Sequence, residues 1–327
     1  MLVAGRISVA SAAVRVPART QTAADAVRMG VLSEDQAHRM EPDRIFVGGQ
    51  VPPDDFAVAA AEDALKQADA EAGALALVAC SWVWERTTNW KLAPRVARLL
   101  GADRAFALGV RQNSNGGTAS LQVAIGHLLA APDSATALVV TSDVLPDGAH
   151  WRLGMQGAVM SDGAAAVVLT PGPGPLRVLA VDSCGWTPQE SLLPDRNPFD
   201  GASDVYDAWV DQRTAFSLRK QLRLGIGRAL DEAGADRSVD AVLLPRLTSS
   251  FLEALTTGLL PPAADRICLT DRTGHLGAGD VLANLAYLLD HDILAPGGRA
   301  LLIGFGAGFA ISCLVVERPI DEEGVLP

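Results

Sequence analysis

One serine lies at a turn where a nucleophile could be placed. Ser114 belongs to the stretch Arg111-Gln112-Asn113-Ser114-Asn115-Gly116-Gly117, which leads into an apolar run at helical spacing from Thr118 to Leu129. The free N–H groups and the positive dipole end of such a helix would face whatever is bonded to the serine. The same residues could also form an ordinary N-cap followed by a glycine turn. Ser114 is therefore a candidate nucleophile only if the chain supplies a base.

A histidine and an aspartate precede a second helix of the same kind. The stretch Thr273-Gly274-His275-Leu276-Gly277-Ala278-Gly279-Asp280 comes directly before the apolar run Val281 to Leu289. A serine hydroxyl becomes an effective nucleophile when a base takes its proton and a third group fixes the tautomer of that base. His275 can be the base and Asp280 the orienting group. Asp280 also fits an N-cap of the second helix, and its spacing alone does not separate the two roles.

The chain holds four further histidines. Three are poorer candidates for the base, because they fall within or at the end of predicted helices or in a polar segment: His127, His291 and His38. His150, in a predicted loop beside Trp151, stays a competitor of His275.

A glycine-rich turn could supply donors to a developing oxyanion. Gly304-Phe305-Gly306-Ala307-Gly308-Phe309 joins the last two predicted strands. A dinucleotide-binding motif would need a glycine in place of Phe309 and a helix afterwards, so the sequence excludes that function here. We interpret the segment as an oxyanion-hole turn in which the backbone N–H of Ala307 acts beside that of Ser114. A plain structural bulge is the alternative.

The elements that must position these residues alternate between helix and strand. The first half contains predicted helices over Asp54 to Ala70 and Trp90 to Leu100, and apolar strands at Leu75 to Cys80, Ala137 to Thr141 and Ala164 to Thr170. A run of alternating proline and glycine from 171 to 175 ends this half, because it can extend neither helix nor strand.

The second half repeats this order. Its predicted elements are a helix from Leu218 to Ala233, strands at Ala241 to Leu244 and Arg266 to Leu269, the helix from Val281, and strands at Ala300 to Gly304 and Ile311 to Val316. Two units of like order indicate a duplicated α/β fold with halves 1–175 and 176–327 and an internal pseudo-twofold. Such an axis would bring the Ser114 turn and the His275 turn together.

Composition excludes several classes of function. The formal net charge of −11 argues against a nucleic-acid partner, and an acidic carrier protein would need a local basic patch. The apolar fraction is 49%, yet no uninterrupted run is long enough to span a bilayer, and Arg6 and Arg15 argue against a signal peptide. The four cysteines, Cys80, Cys184, Cys268 and Cys313, show no metal-binding spacing. We expect a cytoplasmic protein with reduced, buried thiols and no metal.

These residues together resemble a known family. The blocks Gly274 to Gly277 and Leu301 to Phe309 are similar to the glycine-rich C-terminal motifs of the ketoacyl-ACP synthase III group of the thiolase superfamily, and Asp162-Gly163-Ala164-Ala165-Ala166 resembles the D-G-A-A-A segment of that group. The resemblance covers essentially the whole chain. It implies a thiolase-like fold of duplicated βαβαβαββ halves in five αβαβα layers, and a homodimer.

Three positions depart from the pattern of the condensing members. Those enzymes have a cysteine at the position of Ser114, a histidine at that of Arg246 and an asparagine at that of His275. In them the histidine and asparagine stabilise the enolate that malonyl decarboxylation leaves. Arg246 with His275 is not that pair, so the resemblance does not imply carbon–carbon bond formation.

A divergent branch of the family resembles this chain more closely. Its members carry a cysteine or serine nucleophile and a G-H-x-x-x-x-D arrangement, which His275 and Asp280 match. They resemble acyltransferases of natural-product biosynthesis. The resemblance implies acyl transfer from an acyl carrier protein, a polyketide synthase carrier domain or coenzyme A to a hydroxyl, an amine or another carrier, with no cofactor beyond the donor's phosphopantetheine or coenzyme A. Alternatives are a starter-unit priming enzyme, a thioesterase and a non-catalytic partner of another synthase.

Two further segments are candidates for substrate contact. Residues 186–216 are polar and irregular and could form an insertion over the pocket mouth or a solvated connecting loop. Trp82, Trp84 and Trp90 could line the acyl pocket or the dimer edge, although aromatic side chains at such positions are as often part of the core.

Overall fold

Ten of the twelve strands join into one sheet in the computed structural model, which describes residues 1–30, 32–38, 41–85, 91–145, 152, 157–192, 212–234, 238–262, 264–308 and 310–320. The remaining two strands, β2 and β3, form a small antiparallel pair. In chain order the strands are Leu2–Arg15 (β1), Thr20–Thr22 (β2), Arg44–Phe46 (β3), Leu75–Ser81 (β4), Phe106–Val110 (β5), Thr136–Asp143 (β6), Gly163–Pro171 (β7), Leu176–Gly185 (β8), Ala241–Leu243 (β9), Asp265–Ile267 (β10), Arg299–Gly306 (β11) and Ala310–Glu317 (β12).

The order of the strands in the sheet is a palindrome. From one edge to the other it runs β10-β9-β11-β12-β8-β1-β7-β6-β4-β5. Each half therefore has its third strand at the edge and its first strand in the middle, and the halves meet where β1 pairs antiparallel with β8. This arrangement is what a pseudo-twofold axis between β1 and β8 would produce.

Helices cover the sheet and fill its centre. They are Ala23–Arg28 (α1), Glu34–His38 (α2), Pro53–Gln67 (α3), Leu92–Leu100 (α4), Gly116–Ala130 (α5), Gln212–Glu232 (α6), Ser249–Thr256 (α7), Thr270–Thr273 (α8) and Asp280–Asp290 (α9). Short 3₁₀ turns, Asn113–Asn115 and Gly277–Gly279, directly precede α5 and α9. None of the helices in the described part of the chain is long and apolar enough to cross a membrane.

Alternation along the strands builds the layers. In β4, Leu77 and Ala79 contribute to the core that contains α5 and α9, whereas Val78 and Cys80 contribute to the core under α3 and α4. Successive side chains of a strand point to opposite faces, so a continuous apolar run serves two cores at once. In the second half, Leu302 of β11 faces the central core and Ile303 faces the core under α6 and α7. The predicted duplicated α/β fold of five layers is confirmed.

One central strand was not predicted from the sequence. No strand is predicted between Pro175 and Leu218, yet Leu176–Gly185 forms β8 between β1 and β12. Polar side chains interrupt its apolar run, and Asp182 is tolerated there because Arg228 of α6 donates to both of its oxygens at 2.9 Å. Pairing with β1 of the first half and with β12 of its own half makes this segment a central strand.

The alanine face of α3 gives a test of the close packing between helix and sheet. Ala57, Ala60, Ala61 and Ala64 are fully buried against the first-half strands. We expect Ala61→Leu to lower the free energy of unfolding by about 1–3 kcal/mol, because the added methyl groups have no space in a packed core. The neighbouring Glu62 is exposed, so Glu62→Leu should stay within about 0.5 kcal/mol of the wild type. Urea denaturation measures both, and equal effects of the two variants would contradict the assignment of the faces.

Candidate active site

The Ser114 turn lies at the buried start of α5. Ser114 is the middle residue of the Asn113–Asn115 turn, and Asn113 adopts a positive φ of 47°. Gly116 and Gly117 follow. A Cβ on Gly116 would collide with Ser81 Oγ, and a Cβ on Gly117 would collide with the carbonyl oxygen of Ala278. The glycines therefore let the start of α5 approach β4 and the turn before α9 more closely than any other residue would allow.

His275 is clamped by a segment of the first half. Its backbone N–H donates to Val159 O at 2.9 Å, and its carbonyl accepts from Ser161 N at 2.8 Å. The side chain is only 3% exposed. These two bonds hold the backbone that carries the imidazole against the first half.

A hydrogen-bond chain joins the three residues that the sequence singles out. His275 Nε2 lies 2.8 Å from Ser114 Oγ, and His275 Nδ1 lies 2.7 Å from Asp280 Oδ2. An ionised carboxylate can only accept, so Nδ1 carries the proton and Nε2 is left to accept the serine O–H. The structure thus joins Ser114, His275 and Asp280 in one hydrogen-bond chain, an arrangement in which a histidine could take the serine proton.

Asp280 is an acceptor for three donors. Oδ2 accepts from the Arg246 N–H at 2.7 Å as well as from His275, and Oδ1 accepts from the Leu276 N–H at 2.9 Å. Asp280 is the first residue of α9 and no side chain caps that helix, so the capping alternative is not what the structure shows. Burial pushes the pKa of Asp280 upward, but the charges and hydrogen bonds of His275 and Arg246, with the Leu276 N–H, outweigh burial and hold the pKa below its ordinary value.

Arg246 lies beneath this carboxylate. It is 3% exposed, its Nη1 donates to the carbonyl oxygen of Asp280 at 2.9 Å, and the same nitrogen is 3.8 Å from Asp280 Oδ1. The sequence marks Arg246 only as a departure from a family pattern. Its contact with Asp280 depends on the apposition of the segment after β9 with the start of α9, which no local pattern contains.

Asp143 is a site residue that the sequence patterns missed. It ends β6, is 1% exposed, and accepts from the Val83 and Trp84 N–H groups at 2.8 and 2.9 Å and from the Ala278 N–H at 3.1 Å. It therefore ties the segment after β4 to the turn between His275 and Asp280. Burial raises the pKa of Asp143 to about 6, although its three hydrogen bonds and the nearby His275 oppose the shift. In the sequence, Asp143 could have been recognised as an acidic residue at the end of an apolar strand.

The glycine-rich turn touches the Ser114 turn. Asn113 Nδ2 donates to Ala307 O at 2.9 Å. A Cβ on Gly306 would lie 2.6 Å from Gln112 O, and one on Gly304 would lie 2.7 Å from Asn115 Oδ1. The contact between Asn113 and Ala307 holds the backbone N–H groups of Ser114 and Ala307 on adjoining turns. Their use as oxyanion donors stays a prediction.

The two turns are equivalent as turns but not residue by residue. Ser114 comes two residues before the first residue of α5, whereas His275 comes five residues before the first residue of α9. Counted from the helices, the counterpart of Ser114 is Ala278. The pseudo-twofold brings the two turns together, and the additional residues of the second turn carry the imidazole across to the serine.

Several other predicted features have a definite position. His127 lies in the last turn of α5 and His291 follows α9, so neither lies in this hydrogen-bond chain. His150, Trp90 and residues 193–211 lie outside the described residues. Cys80 and Cys313 are buried free thiols, but Cys184 is half-buried and Cys268 is exposed, which corrects the expectation that all four are buried. The described residues contain no cluster of His, Cys, Asp and Glu side chains that could hold a metal ion.

Comparison with known proteins shows several similarities. A family model described as the C-terminal part of 3-oxoacyl-[acyl-carrier-protein (ACP)] synthase III matches residues 230–318. The mycobacterial β-ketoacyl-[acyl-carrier-protein] synthase III of Mycobacterium marinum is 26% identical over 242 residues, 69% of this chain and 70% of the relative. The 3-oxopimeloyl-[acyl-carrier-protein] synthase of Rhodothermus marinus is 27% identical over 289 residues, 84% of this chain and 82% of the relative. A solved structure, ChlB3, described as an acyltransferase, is 27% identical with a TM-score of 0.86 and covers 96% of this chain and 98% of its own.

The raised pKa of Asp143 predicts a pH-dependent contribution to stability. With a pKa near 6 in the folded chain and an ordinary value of 3.8, the folded state keeps a proton that the unfolded state releases, so this contribution falls as pH rises from about 4 to 6. Asp143→Asn removes the titration at the cost of one hydrogen bond to Ala278. Relative to the wild type, the variant should gain up to about 3 kcal/mol between pH 4 and pH 7. Urea unfolding across that range measures the difference, and a constant offset would contradict the prediction.

Proposed function

Because the chain is a protein of the thiolase superfamily that is similar to ketoacyl-ACP synthase III, we propose that it is a non-condensing acyltransferase. The acyl group passes from the thioester of an acyl carrier protein, a polyketide synthase carrier domain or coenzyme A to Ser114, and then to a hydroxyl, amine or carrier acceptor of polyketide or antibiotic biosynthesis. The observation that carries this proposal is the hydrogen-bond chain from Ser114 through His275 to Asp280.

The first half-reaction makes an acyl-serine. Ser114 Oγ attacks the thioester carbonyl carbon while His275 Nε2 takes the hydroxyl proton, and the imidazolium is stabilised by Asp280. The tetrahedral intermediate collapses, the carbon–sulfur bond breaks, and His275 returns the proton to the leaving thiol. In the second half-reaction His275 takes a proton from the acceptor, the acceptor attacks the ester carbonyl, and Ser114 leaves with that proton.

The two turns around Ser114 offer donors for the tetrahedral oxyanion. In the proposed reaction the N–H groups of Ser114 and Ala307 bind the oxygen that was the thioester carbonyl. Support comes from the contact between Asn113 and Ala307, which holds the two turns together. The positive end of α5 adds to the stabilisation of negative charge at this place.

The altered positions argue against condensation in this chain. The curated relatives are named as synthases, but a decarboxylating site of their kind needs neutral donors at the positions of Arg246 and His275. Here Arg246 Nη1 is used by the carbonyl oxygen of Asp280, and His275 is engaged between an aspartate and a serine. The description of ChlB3 as an acyltransferase, at 27% identity over almost the whole chain, supports the same interpretation.

A second copy of the chain is the proposed partner along β5. This strand is an edge of the sheet, its sequence Phe106-Ala107-Leu108-Gly109-Val110 has no charge, and Phe106 is 60% exposed. The opposite edge, β10, carries Asp265 and Arg266, which are charges of the kind that discourage strand pairing. An uncharged edge fits pairing with a copy of itself.

Removing the serine hydroxyl tests the nucleophile. We expect Ser114→Ala to form no acyl adduct with acyl thioesters and to lose transfer by at least about a thousandfold, because the oxygen that carries the acyl group in the proposed reaction is removed. Intact-protein mass after incubation with a thioester measures the adduct.

Ser120, fully buried on the same helix, provides the matched control. Ser120→Ala should keep both the adduct and the activity. Undiminished transfer by Ser114→Ala would refute Ser114 as nucleophile, and a decarboxylated carbon–carbon product from malonyl thioester would refute non-condensing chemistry.

A charge on the β5 edge tests the homodimer. Phe106→Glu should convert the dimer to a monomer, because a carboxylate would lie at the strand pairing without a partner. Phe216 on α6 is 72% exposed, and Phe216→Glu serves as the control that stays dimeric. Sedimentation velocity gives the masses, and a monomeric wild type would overturn the proposal.

A further inference from the structure

Arg246 is a buried cation that the proposed reaction does not use directly. Nη1 of its guanidinium donates to Asp280 O at 2.9 Å, whereas Nε is buried without a hydrogen-bond partner among the described residues. The Arg246 side chain is only 3% exposed. A buried charge persists when it is compensated by an opposite charge.

The compensating charge is the carboxylate of Asp280. Arg246 approaches it twice, through the backbone N–H to Oδ2 at 2.7 Å and through Nη1 at 3.8 Å from Oδ1. Three other titratable groups lie near this pair. The imidazole of His275 is hydrogen-bonded to Asp280. Asp143 is close enough to His275, and Cys268 close enough to Arg246, for their charges to interact.

We infer that Arg246 is the positioning residue of the proposed acyltransferase: it keeps Asp280 ionised and directed at His275 Nδ1. The inference rests on the proposed function for its catalytic meaning. A neutral Asp280 could donate to His275 and reverse the tautomer, which would leave Nε2 protonated and unable to take the proton of Ser114. The cation of Arg246 makes that protonated form of Asp280 unfavourable.

The inference also explains how one position changes the chemistry of the fold. In the condensing pattern this position holds a histidine that acts on the substrate. Here the guanidinium acts on Asp280, and Asp280 acts on His275. The same place therefore supports a general base rather than an enolate.

Two substitutions separate the charge of Arg246 from its volume. Every variant keeps the backbone N–H that donates to Asp280 Oδ2, so only the side chain is tested. We expect Arg246→Met to lose about tenfold or more in kcat/KM for transfer from an N-acetylcysteamine thioester, and to move the acid limb of the pH profile up by about one pH unit. Arg246→Lys should return the acid limb to the wild-type position. Arg246→Gln replaces the Met variant if that protein does not fold.

A second buried arginine controls for loss of packing. Arg152, 1% exposed, donates to both oxygens of Asp162 at 2.6 and 2.9 Å. Arg152→Met should lower the unfolding temperature without moving the acid limb. Equal pH profiles for the wild type and Arg246→Met, or for the Met and Lys variants, would overturn the inference.

Nuclear magnetic resonance of the full chain distinguishes failure of this inference from failure of the proposed function. The Nδ1 proton of His275, bonded to Asp280, should give a downfield signal in ¹⁵N-histidine-labelled protein that disappears in His275→Asn. No substrate is needed. The pH at which the signal titrates should rise in Arg246→Met and return in Arg246→Lys, even if no acyl transfer is found; an unchanged titration in the Met variant would refute the role of Arg246.

Discussion

The buried carboxylate of Asp280 is the constraint on which the site depends. A carboxylate removed from water is stable only if donors and an opposite charge replace its hydration. Asp280 obtains them from the Leu276 N–H, the His275 ring and Arg246. These groups lie on different segments, so satisfying one acceptor brings the segment after β9, the His275 turn and the start of α9 into register. The orientation of the imidazole toward Ser114 follows from the same bonds.

The duplicated sheet makes this register possible. Its palindromic strand order places α5 and α9 in one central layer, each preceded by a turn that faces the other half. Glycines at 116, 117, 304 and 306 remove the side chains that would keep these turns apart. The first half also stabilises the His275 turn of the second half. Val159 and Ser161 are hydrogen-bonded to the backbone of His275, and Asp143 is hydrogen-bonded to the turn that follows it. Neither half contains a complete site.

The chemistry of the site follows from residue type more than from fold. The thiolase-like scaffold positions Ser114 at one turn and His275 with Asp280 at the opposite turn, and on a shared scaffold the identity of such residues decides which chemistry is possible. Under the proposed function, Ser114 as an oxygen nucleophile, His275 as the acceptor of its proton and the buried cation of Arg246 beside Asp280 favour transfer of an intact acyl group. Curated relatives of similar sequence are named as synthases, whereas a solved structure of the same fold is described as an acyltransferase, so overall similarity does not separate the two reactions.

The sequence by itself determined the fold class, the order of most elements and the residue types of the Ser114, His275 and Asp280 set, because apolar periodicity, glycine turns and family-like motifs are local in the chain. It did not predict β8, which becomes a central strand only through its pairing with β1 and β12 and whose buried Asp182 is compensated by Arg228. Spacing alone left Asp280 undecided between cap and orienting group, and only the resemblance to the G-H-x-x-x-x-D arrangement favoured the orienting role. Nor did the sequence assign a role to Asp143 or Arg246. Those roles depend on hydrogen bonds between segments distant in sequence, and only the tertiary structure decides which buried donors meet which acceptors.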